Sequence, residues 1–120
     1  MNNENRKIID NCISNLNDSI DRLTKEDLID SDTKLEFLLN LEEWKEDIKE
    51  VKISEKADYS CLPTYLQKSQ IGDTLELNIS CLECAVENLE EIDYGNVNNF
   101  NKEEILNAIN LALLTLSNIY

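Results

Sequence analysis

The chain has no histidine. That removes His-based nucleophile triads, histidine metal ligands and the usual general base at neutral pH. It also removes the Glu-x-x-His di-metal centres of helical bundles. Two glycines and one proline leave little punctuation for tight turns, which argues against an all-β fold and for long helices. Basic residues are scarce: 11 Lys and Arg face 25 Asp and Glu, for a net charge of −14. Nucleic acid and anionic membrane surfaces carry the same sign, so direct binding to either is disfavoured and a basic protein is the natural partner. No apolar run is long enough to span a bilayer. The longest uncharged stretch, Ile105 to Tyr120, is 16 residues long and includes Asn107, Asn110, Thr115, Ser117 and Asn118, short of the roughly 20 that a spanning helix needs. The start, MNNENRKIIDN, lacks the apolar core of a signal peptide. A cytoplasmic protein with free thiols at Cys12, Cys61, Cys81 and Cys84 is the expectation.

What is present fits one ordered helical domain of 120 residues. The expected fold is all-α, bundle-like, with four helices over about 5–23, 32–52, 73–94 and 102–119. In the first, Ile8, Ile9, Cys12, Ile13, Leu16, Ile20 and Leu23 recur at helical spacing within an arc of roughly 140°. Thr24-Lys25-Glu26-Asp27 reads as a polar break, with Leu28 and Ile29 as a short turn. Ser31 or Asp32 is the expected cap of the second helix, whose stripe is Phe37, Leu41, Trp44, Ile48 and Val51. Leu35, Leu38 and Leu39 give its first turns a second apolar side. Lys45, Lys49, Lys52 and Lys56 interleave with Glu43, Glu46, Asp47, Glu50 and Glu55 as a mixed, solvated face.

Residues 53–72 read as a long irregular crossover, with a turn at Cys61-Leu62-Pro63 because the residue before proline avoids the helical region. Asp73 and Glu76 have the spacing of a capping box, and Gly95 suits a left-handed helix end. Leu75, Ile79, Leu82, Val86 and Leu89 form the seam of the third helix, widened by Leu77, Cys81, Cys84, Ala85 and Ile92. Asn101 with Glu104, flanked by Phe100 and Ile105, is the clearest helix start in the chain.

Two candidate surfaces follow. From Asp73 to Asp93 there are seven acids and no Lys or Arg, and Glu76, Glu83, Glu87, Glu90 and Glu91 share one stripe of the third helix. With Asp93, Glu103 and Glu104 they form a candidate partner-binding face, suited to a basic target. Enzymes that handle nucleic acid are the obvious class, because their substrate grooves are basic. Immunity proteins against nuclease toxins and phage anti-defence proteins would have this character, and steering would make binding fast and salt-sensitive. The second surface is the uncharged last helix, where Leu106, Leu111, Leu113, Leu114 and Tyr120 are candidates for self-association into a homodimer.

No catalytic, cofactor-binding or metal-ligating residue is expected from the remaining motifs. Cys81-Leu82-Glu83-Cys84 falls inside a helix rather than at a helix start after a strand, where redox pairs sit. Glu43-x-x-Glu46 with Glu90-x-x-Asp93 resembles the paired acidic motifs of the all-α nucleotide pyrophosphohydrolases. That resemblance implies a magnesium ion held by carboxylates between helices. Magnesium needs carboxylates converging on one point, whereas Glu43 and Glu46 lie opposite the Phe37/Leu41/Trp44/Ile48 stripe.

Overall fold

The computed structural model describes residues 1–25 and 30–120. The expected polar break and short turn fall largely on residues 26–29, outside the described residues. The elements are α1 (Asn3–Lys25), α2 (Ser31–Cys61), α3 (Thr64–Gln67), α4 (Gln70–Glu90), a single 3-10 turn (Val97–Asn99) and α5 (Lys102–Leu116). α1 and α4 each pack against both α2 and α5, so the order around the bundle is α1, α2, α4, α5.

Successive long helices are antiparallel. Asn5 near the start of α1 reaches Ser54 and Glu55 late in α2, while Arg22 lies over the Phe37 ring at the other end. Lys49 pairs with Glu90 and Lys56 with Glu83 between α2 and α4. Asn78 of α4 holds Tyr120 beyond the end of α5. The all-α, bundle-like fold read from the sequence is the fold observed.

Most of the predicted stripe residues form the core, while Leu75 and Ile79 of the expected third-helix seam are only half-buried and lie outside it. Ile9, Cys12, Leu16 and Leu23 of α1, Phe37, Leu41, Ile48 and Val51 of α2, Leu82, Val86 and Leu89 of α4, and Ile105, Ala108, Ile109, Ala112 and Leu116 of α5 are buried together. Each Leu or Ile taken fully out of water contributes roughly 1.5–3 kcal/mol relative to exposure. Trp44 packs half-buried against this cluster, and its carbonyl accepts from the Cys12 thiol at 3.8 Å. Phe100 meets Phe37 edge to face at 6.1 Å, which fastens the α4–α5 connection to α2. The second apolar side of α2 divides: Leu38 is buried, but Leu35 and Leu39 are exposed.

Several boundaries differ from the sequence reading. α2 does not stop near Lys52 but continues to Cys61, for 31 residues and about 46 Å. Ile53 to Cys61 contains neither glycine nor proline, and the helix ends where Leu62, just before Pro63, turns extended (φ −69°, ψ 138°). The irregular crossover therefore shrinks to residues 62–69, and α3 occupies half of it. The cap of α2 is Asp30, whose side chain accepts from the Asp32 amide, rather than Ser31 or Asp32.

α4 begins at Gln70, three residues before the expected capping box. Ser69 is its extended cap residue, and the Ser69 hydroxyl donates to the Leu66 carbonyl instead of capping. Asp73 instead lies in the first turn, where its charge complements the helix dipole, while Glu76 accepts from the Tyr59 hydroxyl at 2.7 Å. α4 ends at Glu90 rather than Tyr94, and no glycine has positive φ, so Gly95 is not a left-handed cap. Its amide donates to Asp93. The start of α5 is as predicted, with Asn101 accepting from the Glu104 amide at 3.2 Å.

Candidate functional site

The eight predicted partner-binding acids are not equivalent in space. Glu76, Glu83 and Glu90 line the α2 side of α4 and are engaged there. Glu76 accepts from Tyr59, Glu83 pairs with Lys56 at 2.6 Å, and Glu90 pairs with Lys49 at 3.7 Å. The hydrogen bond to Glu76 raises the Tyr59 hydroxyl above its ordinary pKa, with smaller contributions from desolvation and from the charges of Glu76 and Asp73. Asp93 belongs to the connection: it accepts from the Asn99 amide group at 2.8 Å and from the Gly95 amide at 3.0 Å. The Asn99 bond first, then the backbone amides, hold its carboxyl below the usual range.

Glu87, Glu91, Glu103 and Glu104 are exposed and show no ion pair among the described residues. The sequence presented one stripe; the structure divides it into an edge facing α2 lysines and a remainder facing solvent. The cross-helix partners lie 27 residues away along the chain for Glu83 with Lys56 and 41 for Glu90 with Lys49, so they have no local signature.

The solvent-facing acids converge on the end of the bundle where α4 leaves and α5 begins. A cleft of about 660 Å³ opens there, lined by Glu91, Ile92, Asp93, Asn99, Phe100, Asn101, Glu104, Ile105, Asn107 and Ala108. Three carboxylates and three asparagines line it, and no Lys or Arg does. Local hydrogen bonds hold the connection that runs beside it. Asn101 caps α5, Asn96 accepts from the Asn98 amide, and the Tyr94 hydroxyl donates to the Leu89 carbonyl at 2.8 Å. Lys45 of α2 lies 4.8 Å over the Tyr94 ring. Burial, then the charges of Glu42 and Glu90, raise the Tyr94 hydroxyl well above its ordinary pKa, so it stays a donor. A carboxylate-lined cleft can receive an ammonium or guanidinium group.

No protein-family model, curated protein or solved structure matches this chain. Its own geometry therefore carries the functional argument. Among the described residues, no helix is long and apolar enough to cross a membrane. No group of three or more Asp, Glu or Cys side chains among them stands where it could hold a metal ion, so Glu43, Glu46, Glu90 and Asp93 form no such group. Glu43 and Glu46 are exposed on α2.

The residues offered for self-association also separate. Leu106 and Leu113 are half-buried and pack against the core, whereas Leu111, Leu114 and Tyr120 are exposed. All four cysteines are free. Cys12 and Cys81 are buried, Cys61 and Cys84 exposed; burial and then Asp47 push the Cys12 thiol up to about 12, while burial and then Cys84 raise Cys81. A thiol reagent applied to the native protein at neutral pH is expected to label Cys61 and Cys84 promptly, and Cys12 and Cys81 only on unfolding. Peptide mapping of the labelled sites checks this; prompt labelling of Cys12 would contradict its place in the core.

Sequence reasoning missed the buried polar positions Asn5, Ser19, Glu55 and Asn78. Glu55, assigned to the mixed solvated face, is fully buried, and Asn78 is fully buried inside α4. Both sit at helical spacing from core residues, four after Val51 and four before Leu82, so position was the available signal and residue type concealed it. Asn78 pairs with both the carbonyl and the amide of Tyr120, at 3.0 and 2.9 Å, and so fixes the lower end of the α4–α5 face.

Proposed function

We propose that this chain is an acidic protein-binding module that inhibits or neutralises a basic partner, acting in the cytoplasm. The leading partner class is an enzyme that handles nucleic acid. The type is that of an immunity protein or a phage anti-defence protein. The observation that carries the reading is the acid-lined, cation-free cleft, with Glu87 and Glu103 exposed on the two helices that border it, in a chain of net charge −14. Four solvent-facing carboxylates at one end of a rigid bundle would steer a cationic groove toward that end.

The test is affinity capture at low salt, followed by elution at high salt. The expected eluate is a basic nucleic-acid-handling protein whose activity falls when the acidic chain is restored. The variant carrying Glu87→Gln, Glu91→Gln, Glu103→Gln and Glu104→Gln is expected to capture it at least roughly tenfold less tightly with unchanged helix content. Equal capture by the variant would overturn the assignment of the face.

The exposure of Leu114 (65%) and Tyr120 (70%) favours a second reading, a helical module that assembles through α5. Self-association of that kind would persist at high salt, whereas the acidic contact would not.

A further inference from the structure

The α4–α5 side of the bundle is graded along its length. On α5, Asn107, Leu111 and Leu114 fall within an arc of about 60° on the outward side; these three and Asn118, just beyond the helix end, are exposed and uncharged. On α4, Leu77 and Cys84, and Glu91 at its C-terminal cap, recur every seven residues and are exposed. Leu77 precedes Asn78, which holds Tyr120, so the exposed Leu77 and Tyr120 mark one end of the face. Apart from Asp73 at its foot, that half is neutral or apolar. The other half is acidic, from Glu87 through Glu91 to the cleft with Glu104. The 15 residues of α5 make the face about 22 Å long, close to four helical turns.

We propose that this face docks an amphipathic helical segment of the partner, apolar at one end and Lys/Arg-rich at the other. The apolar end lies on Leu77, Leu111, Leu114 and Tyr120, and a basic side chain enters the cleft beside Glu91 and Glu104. This rests on the basic-partner reading and specifies the partner's docking element. Charge selects the occupant. An apolar strip alone would suit a second copy, but two chains of net charge −14 repel each other. The same acids exclude an anionic membrane surface. A segment with both characters fits the strip and the cleft together, in the helix-in-groove mode.

The test titrates the full chain with three synthetic peptides of about 16 residues, matched to the length of the face. One has Leu at helical spacing in one half and Lys in the other. The second has the same composition with Leu and Lys permuted along its length. The third has Lys but no Leu. The first is expected to bind at least roughly tenfold more tightly than the second. Leu111→Ser with Leu114→Ser is expected to abolish that difference while leaving the Lys-only peptide bound, and circular dichroism checks that the variant folds. Equal binding of the first two peptides would overturn this proposal and leave the acidic-face reading intact if the Lys-only peptide still binds at low salt. Binding of no peptide would overturn both. A dimer in sedimentation that the serine variant dissociates and the first peptide does not would also overturn it, and would assign the strip to a second copy.

Discussion

Gly72→Ala is expected to destabilise the protein by about 2–3 kcal/mol, lowering Tm by on the order of 10 °C. In the interior of a helix, alanine ordinarily gains about 1 kcal/mol over glycine through propensity. Here the sign reverses because of the corner between α3 and α4. A Cβ on Gly72 would meet the carbonyl oxygen of Gln67 and lie 2.6 Å from that of Leu66. Both atoms are backbone, so no side-chain rotation relieves the clash. The corner is also tied by the Gln67 side chain, which donates to the carbonyls of Tyr59 and Leu62. Thermal unfolding followed by circular dichroism measures the effect. A Tm that is unchanged or raised would mean that the corner has room and helix propensity decides.

Asn5→Ala is expected to cost about 1–3 kcal/mol, and its cause lies in Glu55. Glu55 is fully buried; Oε1 accepts from the Asn5 side-chain amide at 3.1 Å, and Oε2 has no hydrogen-bond partner among the described residues. Truncating Asn5 leaves both carboxyl oxygens unsatisfied between α1 and α2 and removes the contact to Ser54. Combining Asn5→Ala with Glu55→Leu is expected to recover most of the loss, because removing both partners of a buried polar pair costs less than stranding one. A double-mutant cycle in urea measures the coupling. Additive losses would contradict it.

These two sites mark where sequence reading reached its limit. The helical periodicity of Ile9, Cys12, Leu16 and Leu23, and of Leu82, Val86 and Leu89, identified the bundle because burial and a 3.6-residue repeat select the same positions. Asn101 with Glu104 was legible because a cap is set by neighbours in sequence. α2 was read nine residues short because its stripe continues through a carboxylate. After Ile48 and Val51, the next core position is Glu55, and an acid there looks like solvent-facing surface. The α4 boundaries moved because Ser69 and the Asp93 turn set them, not the Asp73/Glu76 spacing or Gly95.

The acidic face was legible as composition and not as geometry. The sequence grouped Glu76, Glu83 and Glu90 with Glu87 and Glu91, since all lie on one side of one helix. Only packing places Tyr59, Lys56 and Lys49 of α2 beside the first three. Exposed ion pairs of this kind contribute about 0–1 kcal/mol to stability, but they reduce the charge that the α2 edge offers to a partner. What remains is concentrated at the cleft, together with Glu103 and Glu104 from a different helix.

The most direct test of the central claim is the affinity of the captured basic partner for the wild-type chain and for the variant with Glu87, Glu91, Glu103 and Glu104 changed to Gln, each measured over a series of salt concentrations. The account predicts wild-type affinity that falls steeply with salt, and a variant that is weaker at low salt with a shallower dependence, so that the two converge as salt rises. Identical affinities and identical salt dependences for the two proteins would contradict it.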